Sequence, residues 1–427
     1  MKAKLADTFS RFRPFPVLVV GDFMFDSYTT GRVKRISPEA PVPVMEVLKQ
    51  EARPGGAGNV ALNLNAIGGQ VFAVGRIGAD RNGDELRACL IAQGIDVTGL
   101  CVDPTYHTPL KNRLIAESQQ LLRVDHETIV SPSPAFENQI LEILDALIPK
   151  VQVVALSDYG KGFLTPKLIS ASIAKAKEAQ VPIIIDPKGI DFTKYRGATI
   201  LKPNLGEAYA AAKMPHSAPL DAVAEQLLAI TDVDLLLITR SEAGMSLFDR
   251  QCKRIDFPVQ SKEVIDVTGA GDTVLALVCL AMALGIDLEM GAQLANIAAG
   301  IAIERLGCVQ VSLSDIAQRL LDYDRDTKIF DEEHLYALKK VLAHKRYALL
   351  TLEPEHTALE VIRALREIEA ESLLVYLNDV RPSEEFVHFL SAMREIDYVL
   401  LHNLRSFYDS LTPDAHYTLR EGVLVKI

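Results

Sequence analysis

The sequence lacks several features that mark particular classes of protein. It contains no tryptophan and only five cysteines in 427 residues, with no CxxC pair among them. An odd number of scattered cysteines argues against a disulfide framework and against a zinc site, so we expect reduced thiols. No run of about 18 apolar residues predicts a membrane span, and the amino-terminal segment lacks the apolar stretch of a signal peptide. We therefore expect a cytoplasmic protein with no membrane partner.

Positive charge is also in short supply. The chain has 45 Lys and Arg residues against 56 Asp and Glu, a formal net charge of −11. Such a balance repels a phosphate backbone, and the basic residues at 32–35 form only a local cluster, so we do not expect nucleic acid as a partner. Hydrophobic residues make up 49% of the chain and charged residues 24%. These values are close to globular averages and predict a sizeable core.

Two familiar nucleotide-binding patterns are absent or incomplete. No GxxxxGK[ST] sequence occurs, which excludes a P-loop kinase. Residues 75–80 (GRIGAD) follow a short apolar pair, but they lack the full GxGxxG pattern and its acidic partner downstream. Any nucleotide site must therefore depend on a different element.

The most regular feature that is present is a series of apolar, β-rich runs, each followed by polar residues or glycine. Four of them lie at 17–20, 151–156, 183–185 and 235–238, with helical stretches between them. Continuous apolar strands that alternate with helices predict a parallel sheet covered on both faces. Ligands bind at the carboxyl ends of such strands, so the polar residues that close these runs are expected to share one site.

Two regions depart from this pattern. Short segments punctuated by proline occupy about 28–47 and, together with the β-like segment 107–124, predict a small β-lid. After a charged stretch at 322–326 the chain alternates helices and strands again. We therefore expect one domain over 1–325 and a second, smaller α/β domain over 326–427.

The strongest chemical signal is the segment 266–273 (DVTGAGDT), which runs into an apolar helical stretch. Glycine lets the backbone approach an anion closely, and the first free N–H groups of a helix donate to it, so a phosphate fits there. Asp272 could then accept a proton from an attacking hydroxyl, as phosphoryl transfer requires. The alternative is that Asp272 only favours the helix dipole, and spacing alone leaves both interpretations open.

This segment resembles the signature of the ribokinase (PfkB-type carbohydrate kinase) family. Residues 53–61 (RPGGAGNVA) resemble the second family signature, a glycine-rich turn that lies against the sugar. The resemblance implies a ribokinase-like, doubly wound and mainly parallel α/β sheet with a small β-lid, and it implies ATP and Mg²⁺ as cofactors. It places catalysis on Asp272 with Gly269, Ala270 and Gly271.

Four further segments narrow the resemblance within the family. Residues 21–26, 35–43, 157–162 and 186–189 are similar to kinases of D-glycero-β-D-manno-heptose 7-phosphate. The likeness implies ATP-dependent phosphorylation of that sugar phosphate at C1, a step toward the heptose of the lipopolysaccharide inner core. The alternatives are another sugar or nucleoside kinase of the same fold, and a sugar-sensing protein without turnover.

The resemblance also assigns binding residues. Carboxylates and an amide suit a polyol, and cations suit a substrate phosphate. The predicted substrate residues are Asp22, Asp26, Gly55, Gly56, Asn59, Lys111, Arg113, Asp158, Lys161, Asp186 and Lys188. The predicted ATP residues are Asn204, Glu207, Thr239, Arg240, Gly244, Thr268, Gly269, Gly271 and Asn296. Glu207 would reach Mg²⁺ through water, although Gly206 departs from the usual serine of that motif.

The second unit poses a separate question, because in many bacteria this type of kinase is fused to a nucleotidyltransferase. Such a transferase needs a pair of histidines, and the stretch 330–335 (FDEEHL) has only one. We therefore interpret the second unit as a degenerate, non-catalytic remnant, with an unrelated α/β appendage as the alternative. A homodimer through the β-lid is a further expectation.

Overall fold

The computed structural model describes residues 12–117, 119–259, 264–305, 307–323, 328–330, 335–343, 345–420 and 422–427. The chain forms two compact units. The large unit spans Arg13–Ser312, and the small unit is built mainly from Leu313–Ile427. No helix in the described ranges is long and apolar enough to cross a membrane.

The large unit contains two sheets and the helices that cover them. Its strands are β1 (Phe15–Gly21), β2 (Phe23–Ile36), β3 (Pro43–Gly56), β4 (Gly69–Gly78), β5 (Asp96–Asp103), β6 (Leu110–Ala116), β7 (Gln119–His126), β8 (Val153–Ser157), β9 (Ile183–Asp186), β10 (Ile200–Leu201), β11 (Leu235–Thr239), β12 (Met245–Asp249) and β13 (Arg254–Phe257). Its helices are α1 (Ala57–Ala66), α2 (Arg81–Ala92), α3 (Pro134–Leu147), α4 (Pro166–Glu178), α5 (Leu205–Ala212), α6 (Leu220–Thr231), α7 (Ala270–Ala283) and α8 (Leu288–Ile303).

The main sheet has nine strands in the order β13-β12-β11-β10-β9-β8-β1-β4-β5. From β11 to β5 all neighbours are parallel, and β12 and β13 add an antiparallel edge. The four apolar runs predicted as strands are β1, β8, β9 and β11. Their side chains pack into a core on which helices lie, since strands buried on both faces read as continuous apolar runs. The predicted parallel α/β sheet is confirmed.

The second sheet is the lid, with four strands in the order β3-β2-β6-β7. The short, proline-punctuated segments predicted here are wrong in detail, because β2 and β3 are each 14 residues long. Pro38 and Pro41 lie in the turn that joins these strands, where a missing N–H breaks no ladder. Both long strands have one end beside the main sheet, since β2 starts just after β1 and β3 ends at the start of α1.

The small unit has a six-stranded sheet of its own. Its elements are α9 (Leu313–Tyr323), β14 (Ile329–Phe330), α10 (Leu335–Leu342), β15 (Ala348–Leu352), α11 (Ala358–Leu365), β16 (Leu373–Leu377), α12 (Glu384–Ala392), β17 (Tyr398–Leu401), α13 (Arg405–Tyr408), β18 (Ala415–Arg420) and β19 (Val423–Lys426). The strand order is β14-β17-β16-β15-β18-β19, and only the final β18-β19 pair is antiparallel. The stretch 330–335, where a transferase would need its pair of histidines, includes residues 331–334, which lie outside the described residues.

Strand register brings the predicted site together. Gly21 of β1 pairs with Ser157 of β8, and Ser157 pairs in turn with Asp186 of β9. Asp22 and Asp158, which follow the first two of these strands, therefore lie at the same edge of the sheet as Asp186. Helix α1 packs against α7, which adds the starts of two helices to that edge.

Candidate active site

Asp272 is buried in the first turn of α7, and both of its carboxylate oxygens accept hydrogen bonds. Asn59 donates from Nδ2 to Oδ2 at 2.6 Å, and the Tyr159 hydroxyl donates to Oδ1 at 2.7 Å. Burial raises the pKa of Asp272, and these two hydrogen bonds and the charge of Lys202 oppose the shift. The carboxylate is thus held in one orientation and is more basic than an ordinary aspartate.

The helix that carries Asp272 begins without a side-chain cap. Gly269 is its first flanking residue, with φ of 80° in the left-handed region. A Cβ at Gly269 would lie 2.8 Å from Asn59 Nδ2, so a larger residue would disturb the donor that holds Asp272. The first N–H groups of a helix have no partner within it, and an uncapped start can bind an anion.

Asp22 lies at the carboxyl end of β1 and has one oxygen bonded and one free. Oδ2 accepts hydrogen bonds from the backbone N–H groups of Tyr159 at 2.9 Å and Lys161 at 3.1 Å. Oδ1 is buried and has no partner among the described residues. Burial raises the pKa of this carboxyl group. A buried oxygen without a donor is unfavourable, so Oδ1 suits a hydroxyl supplied by a ligand.

Asp26 lies near the start of β2, where the lid meets the main sheet. Arg113 of β6 donates to its Oδ1 at 2.5 Å. A Cβ on Gly55 would lie 2.0 Å from Asp26 Oδ2, so only glycine fits opposite this carboxylate. The next residue, Gly56, has φ of 56° and leads into α1. The second sequence signature therefore makes room for Asp26 and places Asn59.

Two of the three predicted substrate lysines lie near the lid and one does not. The Lys111 ammonium is 5.6 Å from the centre of the Tyr159 ring. Burial lowers the pKa of Lys111. Lys161 Nζ is 2.6 Å from Glu127 Oε2. Lys188 instead donates to Glu207 Oε1 at 2.6 Å, on the predicted nucleotide side.

Asp158 and Asp186 have well-defined protein partners. Asp158 accepts hydrogen bonds from Gly160 N at 2.7 Å, Lys194 Nζ at 2.8 Å and the Tyr195 hydroxyl at 2.7 Å. These contacts anchor the loop after β8, and a substrate contact by Asp158 stays a prediction. Asp186 Oδ1 lies 3.0 Å from Lys202 Nζ, and burial raises the pKa of Asp186 to about 6.

The nucleotide-side residues predicted from sequence lie at five places along the chain. Asn204 and Glu207 form a reciprocal capping box at the start of α5. Thr239 ends β11 and pairs with Asn204 in an isolated parallel bridge. Arg240 and Gly244 close the turn between β11 and β12 through a hydrogen bond of 2.7 Å from Arg240 N to Gly244 O.

Two further nucleotide-side residues lie on either side of α7. The Thr268 hydroxyl donates to Asp266 Oδ1 at 2.6 Å, which shapes the turn before the helix. Asn296 of α8 donates to Pro258 O at 2.7 Å, at the end of β13. Their contacts with ATP stay predictions.

Two residues of this site escaped the sequence reasoning. Tyr159 lies in the segment 157–162, but nothing in the linear sequence indicates that its hydroxyl reaches Asp272. Lys202 follows β10, which is only two residues long and too short to stand out as an apolar run. The one sequence feature that could have indicated Lys202 is its place between the apolar pair Ile200-Leu201 and Pro203-Asn204.

The geometry agrees with comparisons to known proteins. Residues 16–315 match the pfkB family carbohydrate kinase. A curated relative from Geotalea uraniireducens, named Bifunctional protein HldE, is 38% identical over 100% of this chain and 90% of its own length. The protein of the same name from Geobacter metallireducens is 39% identical over 98% of this chain and 89% of its own length.

Solved structures support the fold. Ribokinase from Arabidopsis thaliana, complexed with ribose and ATP, has a TM-score of 0.57 at 19% identity and covers 72% of this chain and 99% of its own. Phosphofructokinase-2 from Escherichia coli, in complex with potassium, has a TM-score of 0.60 at 17% identity over 73% of this chain and 99% of its own. The large unit thus has a ribokinase-like fold. The chain belongs to the pfkB family of carbohydrate kinases.

Proposed function

We propose that this enzyme transfers the γ-phosphoryl group of ATP to the C1 hydroxyl of D-glycero-β-D-manno-heptose 7-phosphate. The product would be the 1,7-bisphosphate, on the route to ADP-heptose and the lipopolysaccharide inner core. The observation that carries the proposal is Asp272, oriented by Asn59 and Tyr159 beside the uncapped start of α7. The choice of sugar depends on the motif resemblance and on relatives that align along nearly the whole chain.

In this proposal Asp272 is the general base. It accepts the proton of the attacking hydroxyl while the new bond forms between that oxygen and the γ-phosphorus. The bond from the γ-phosphorus to the bridging oxygen breaks, and ADP leaves with the electron pair. A carboxylate oxygen has more than one lone pair, so the hydroxyl can bind Asp272 without displacing Asn59 or Tyr159. Gly269, Ala270 and Gly271 let the phosphate approach the helix N–H groups.

The sugar would lie between the end of β1 and the lid. The unpartnered Oδ1 of Asp22 and the carboxylate of Asp26 accept hydrogen bonds from its hydroxyl groups. Lys111, Arg113 and Lys161 supply positive charge for the 7-phosphate. Lys188 belongs with the nucleotide in this arrangement, because its partner is Glu207.

The residues near Glu207 fit a magnesium ion bound mainly by water and phosphate. Mg²⁺ in such enzymes takes one or two protein carboxylates and keeps several waters. Within the described ranges no group of three or more His, Cys, Asp or Glu side chains could hold a metal. Glu207 would hold the ion through water, and the ion would neutralise charge on the ATP phosphates. Lys188, whose side chain is 49% exposed, can turn from Glu207 toward those phosphates.

Location and assembly extend the proposal. A kinase that consumes ATP belongs in the cytoplasm. The lid exposes apolar side chains, with Val47 and Leu48 each 57% exposed and Leu122 55% exposed. Such a surface supports a homodimer through the lid.

The test is a panel of acceptors given to the purified full chain with ATP and Mg²⁺. Heptose 7-phosphate should have the highest kcat/KM, well above fructose 6-phosphate, ribose and a nucleoside, and phosphorus NMR should show phosphate at C1. A higher value for another acceptor would replace the proposed substrate. Binding of heptose 7-phosphate without turnover of any acceptor would indicate a sensing protein.

A further inference from the structure

Lys202 is a buried cation at the carboxyl edge of the main sheet. Its side chain is only 3% exposed, and its backbone N–H donates to Ile185 O at 2.8 Å. The ammonium lies 3.0 Å from Asp186 Oδ1. Burying a lysine is costly, and a single ion pair does not always offset that cost. Such a residue therefore needs a reason beyond packing.

The position of the ammonium supplies that reason. A Cβ on Gly271 would lie 3.4 Å from Lys202 Nζ and 3.9 Å from Asp186 Oδ2. The ammonium thus lies beside the first turn of α7, the helix start that can bind an anion and that carries Asp272. The charge of Lys202 also lowers the pKa of Asp272, which agrees with this proximity.

The lysine has donors to spare. An ammonium group carries three N–H donors, and one ion pair, to Asp186, is found for Lys202 within the described part of the chain. An anion in front of Gly271 could accept hydrogen bonds from the remaining N–H donors, and the contact of Lys202 with Asp186 would stay the same. Asp186 also lies near Gly271, so a role as its counter-ion alone is the alternative that the experiments below must separate.

We propose that Lys202 is a catalytic residue that donates hydrogen bonds to the γ-phosphoryl group of ATP during transfer, and that Asp186 positions its ammonium. The inference rests on the proposed kinase function. As the sugar oxygen bonds to phosphorus and the bridging oxygen departs with ADP, negative charge spreads over the three remaining oxygens. A fixed cation in a site shielded from water stabilises that charge more strongly than water does.

The test uses the full chain and the variants Lys202→Met, Lys202→Arg and Lys202→Met with Asp186→Asn. Lys177→Met, at an exposed lysine of α4, is the control. Lys202→Met should lower kcat by about 10²- to 10³-fold, the size seen when one preorganised donor is lost. Lys202→Arg should recover part of that loss, and the control should leave kcat unchanged.

Calorimetry separates a catalytic role from a structural one. Lys202→Met should weaken binding of the β,γ-methylene analogue of ATP about 10-fold and leave ADP binding unchanged, because ADP has no γ-phosphoryl group. Equal losses for both nucleotides, or a kcat within threefold of the unaltered chain, would overturn the proposal.

The double variant tests whether an unpaired Asp186 explains the defect. It removes both charges, so recovery of kcat to within threefold would show that Lys202 serves only Asp186 and would also overturn the proposal. Failure of the proposed acceptor would appear differently, as absent turnover by the unaltered chain. The comparison of the ATP analogue with ADP would still decide the role of Lys202.

Discussion

The two units of this chain contain similar parallel sheets whose carboxyl edges differ. In the large unit, the edge carries the buried carboxylates Asp22 and Asp272 and the partly buried Asp186, and desolvation raises the pKa of all three. In the small unit, Glu353, Asn378 and His402 follow adjacent strands and are all partly exposed. At the first edge, desolvation disfavours the charged form of the carboxylates. At the second edge, the polar side chains are partly exposed to solvent.

The three polar residues of this cluster in the small unit contact one another. Asn378 Nδ2 donates to Glu353 Oε2 at 2.8 Å, and Asn378 Oδ1 lies 2.9 Å from His402 Nδ1. In the large unit, by contrast, Asp22 Oδ1 is buried without a partner among the described residues. Buried polar groups normally find partners, so the unpartnered oxygen of Asp22 favours a ligand there, whereas the Glu353, Asn378 and His402 cluster is already paired.

The helices at the two edges differ in the same way. Helix α7 starts at Gly269 with no side-chain cap, so its N–H groups can meet a phosphate. Helix α11 starts at Thr357, whose hydroxyl accepts from Glu360 N while the Glu360 carboxylate accepts from Thr357 N. A shared sheet architecture therefore does not by itself provide a phosphate site, and the uncapped, glycine-lined helix start is the feature that supports the proposed one.

The largest effect is expected at the buried edge. Asp272→Asn should lower kcat by about 10²- to 10⁴-fold, because the amide keeps the shape but cannot accept a proton. ATP and sugar should still bind, as calorimetry can show. More than a tenth of the original activity would exclude Asp272 as the base. Asp414→Asn, in the small unit, is the matched control and should leave kcat unchanged.

The next effect separates the lysines that the structure places apart. Lys161→Met should weaken use of the phosphorylated heptose by about 10- to 150-fold, since a charge-assisted hydrogen bond contributes roughly 1.5 to 3 kcal/mol. Use of the unphosphorylated heptose should hardly change. Lys188→Met should instead raise the KM for ATP. Equal losses for both sugars in Lys161→Met would assign that lysine to the fold or to ATP.

Tyr159→Phe should shift the pH dependence. Asp272 acts as a base only when ionised, and its pKa is raised by burial and lowered by the Tyr159 hydrogen bond. Loss of that bond raises the pKa further, so the acidic limb of kcat/KM should move to higher pH, with activity recovered at alkaline pH. An unchanged acidic limb would mean that Tyr159 does not act on the base.

A smaller effect is expected from removing the small unit. A chain that ends at residue 325 should keep kinase activity, because every motif of the site precedes that point. Helix α9 belongs to the small unit, so a chain that ends at residue 312 should be at least as stable as the chain that ends at residue 325. A folded but inactive truncation would show that the small unit is required.

The full chain should release no pyrophosphate from ATP or CTP with heptose 1-phosphate, as expected of a degenerate remnant.

The smallest effect concerns the capped helix. Thr357→Ala removes the cap of α11 and should lower the free energy of unfolding of the small unit by about 0.5–2 kcal/mol. Kinase kcat should stay the same. Chemical denaturation measures the first quantity, and a parallel loss of kcat would contradict the assignment of the site to the large unit.

Much of the fold could be predicted because periodicity is a local property. The apolar runs of β1, β8, β9 and β11 are long enough to be recognised, and so are β15 to β17 in the small unit. The two-residue strands β10 and β14 were missed, since such pairs carry no period. The longer strands β4, β5, β12, β13, β18 and β19 were not identified either. The length of β2 and β3 was missed because prolines in their turn resemble breaks in a strand.

The sequence by itself determined the family, the glycine-rich helix start proposed to bind phosphate and Asp272 as the candidate base, because those features depend on contiguous residues. Only the tertiary structure decided which residues lie beside them. Asn59 and Tyr159 come from distant parts of the chain to hold Asp272, and Lys202 comes from a third. It also assigned Lys188 to Glu207. Strand order and register set these pairings, and burial sets the pKa values, and neither is encoded in the local spacing of residues.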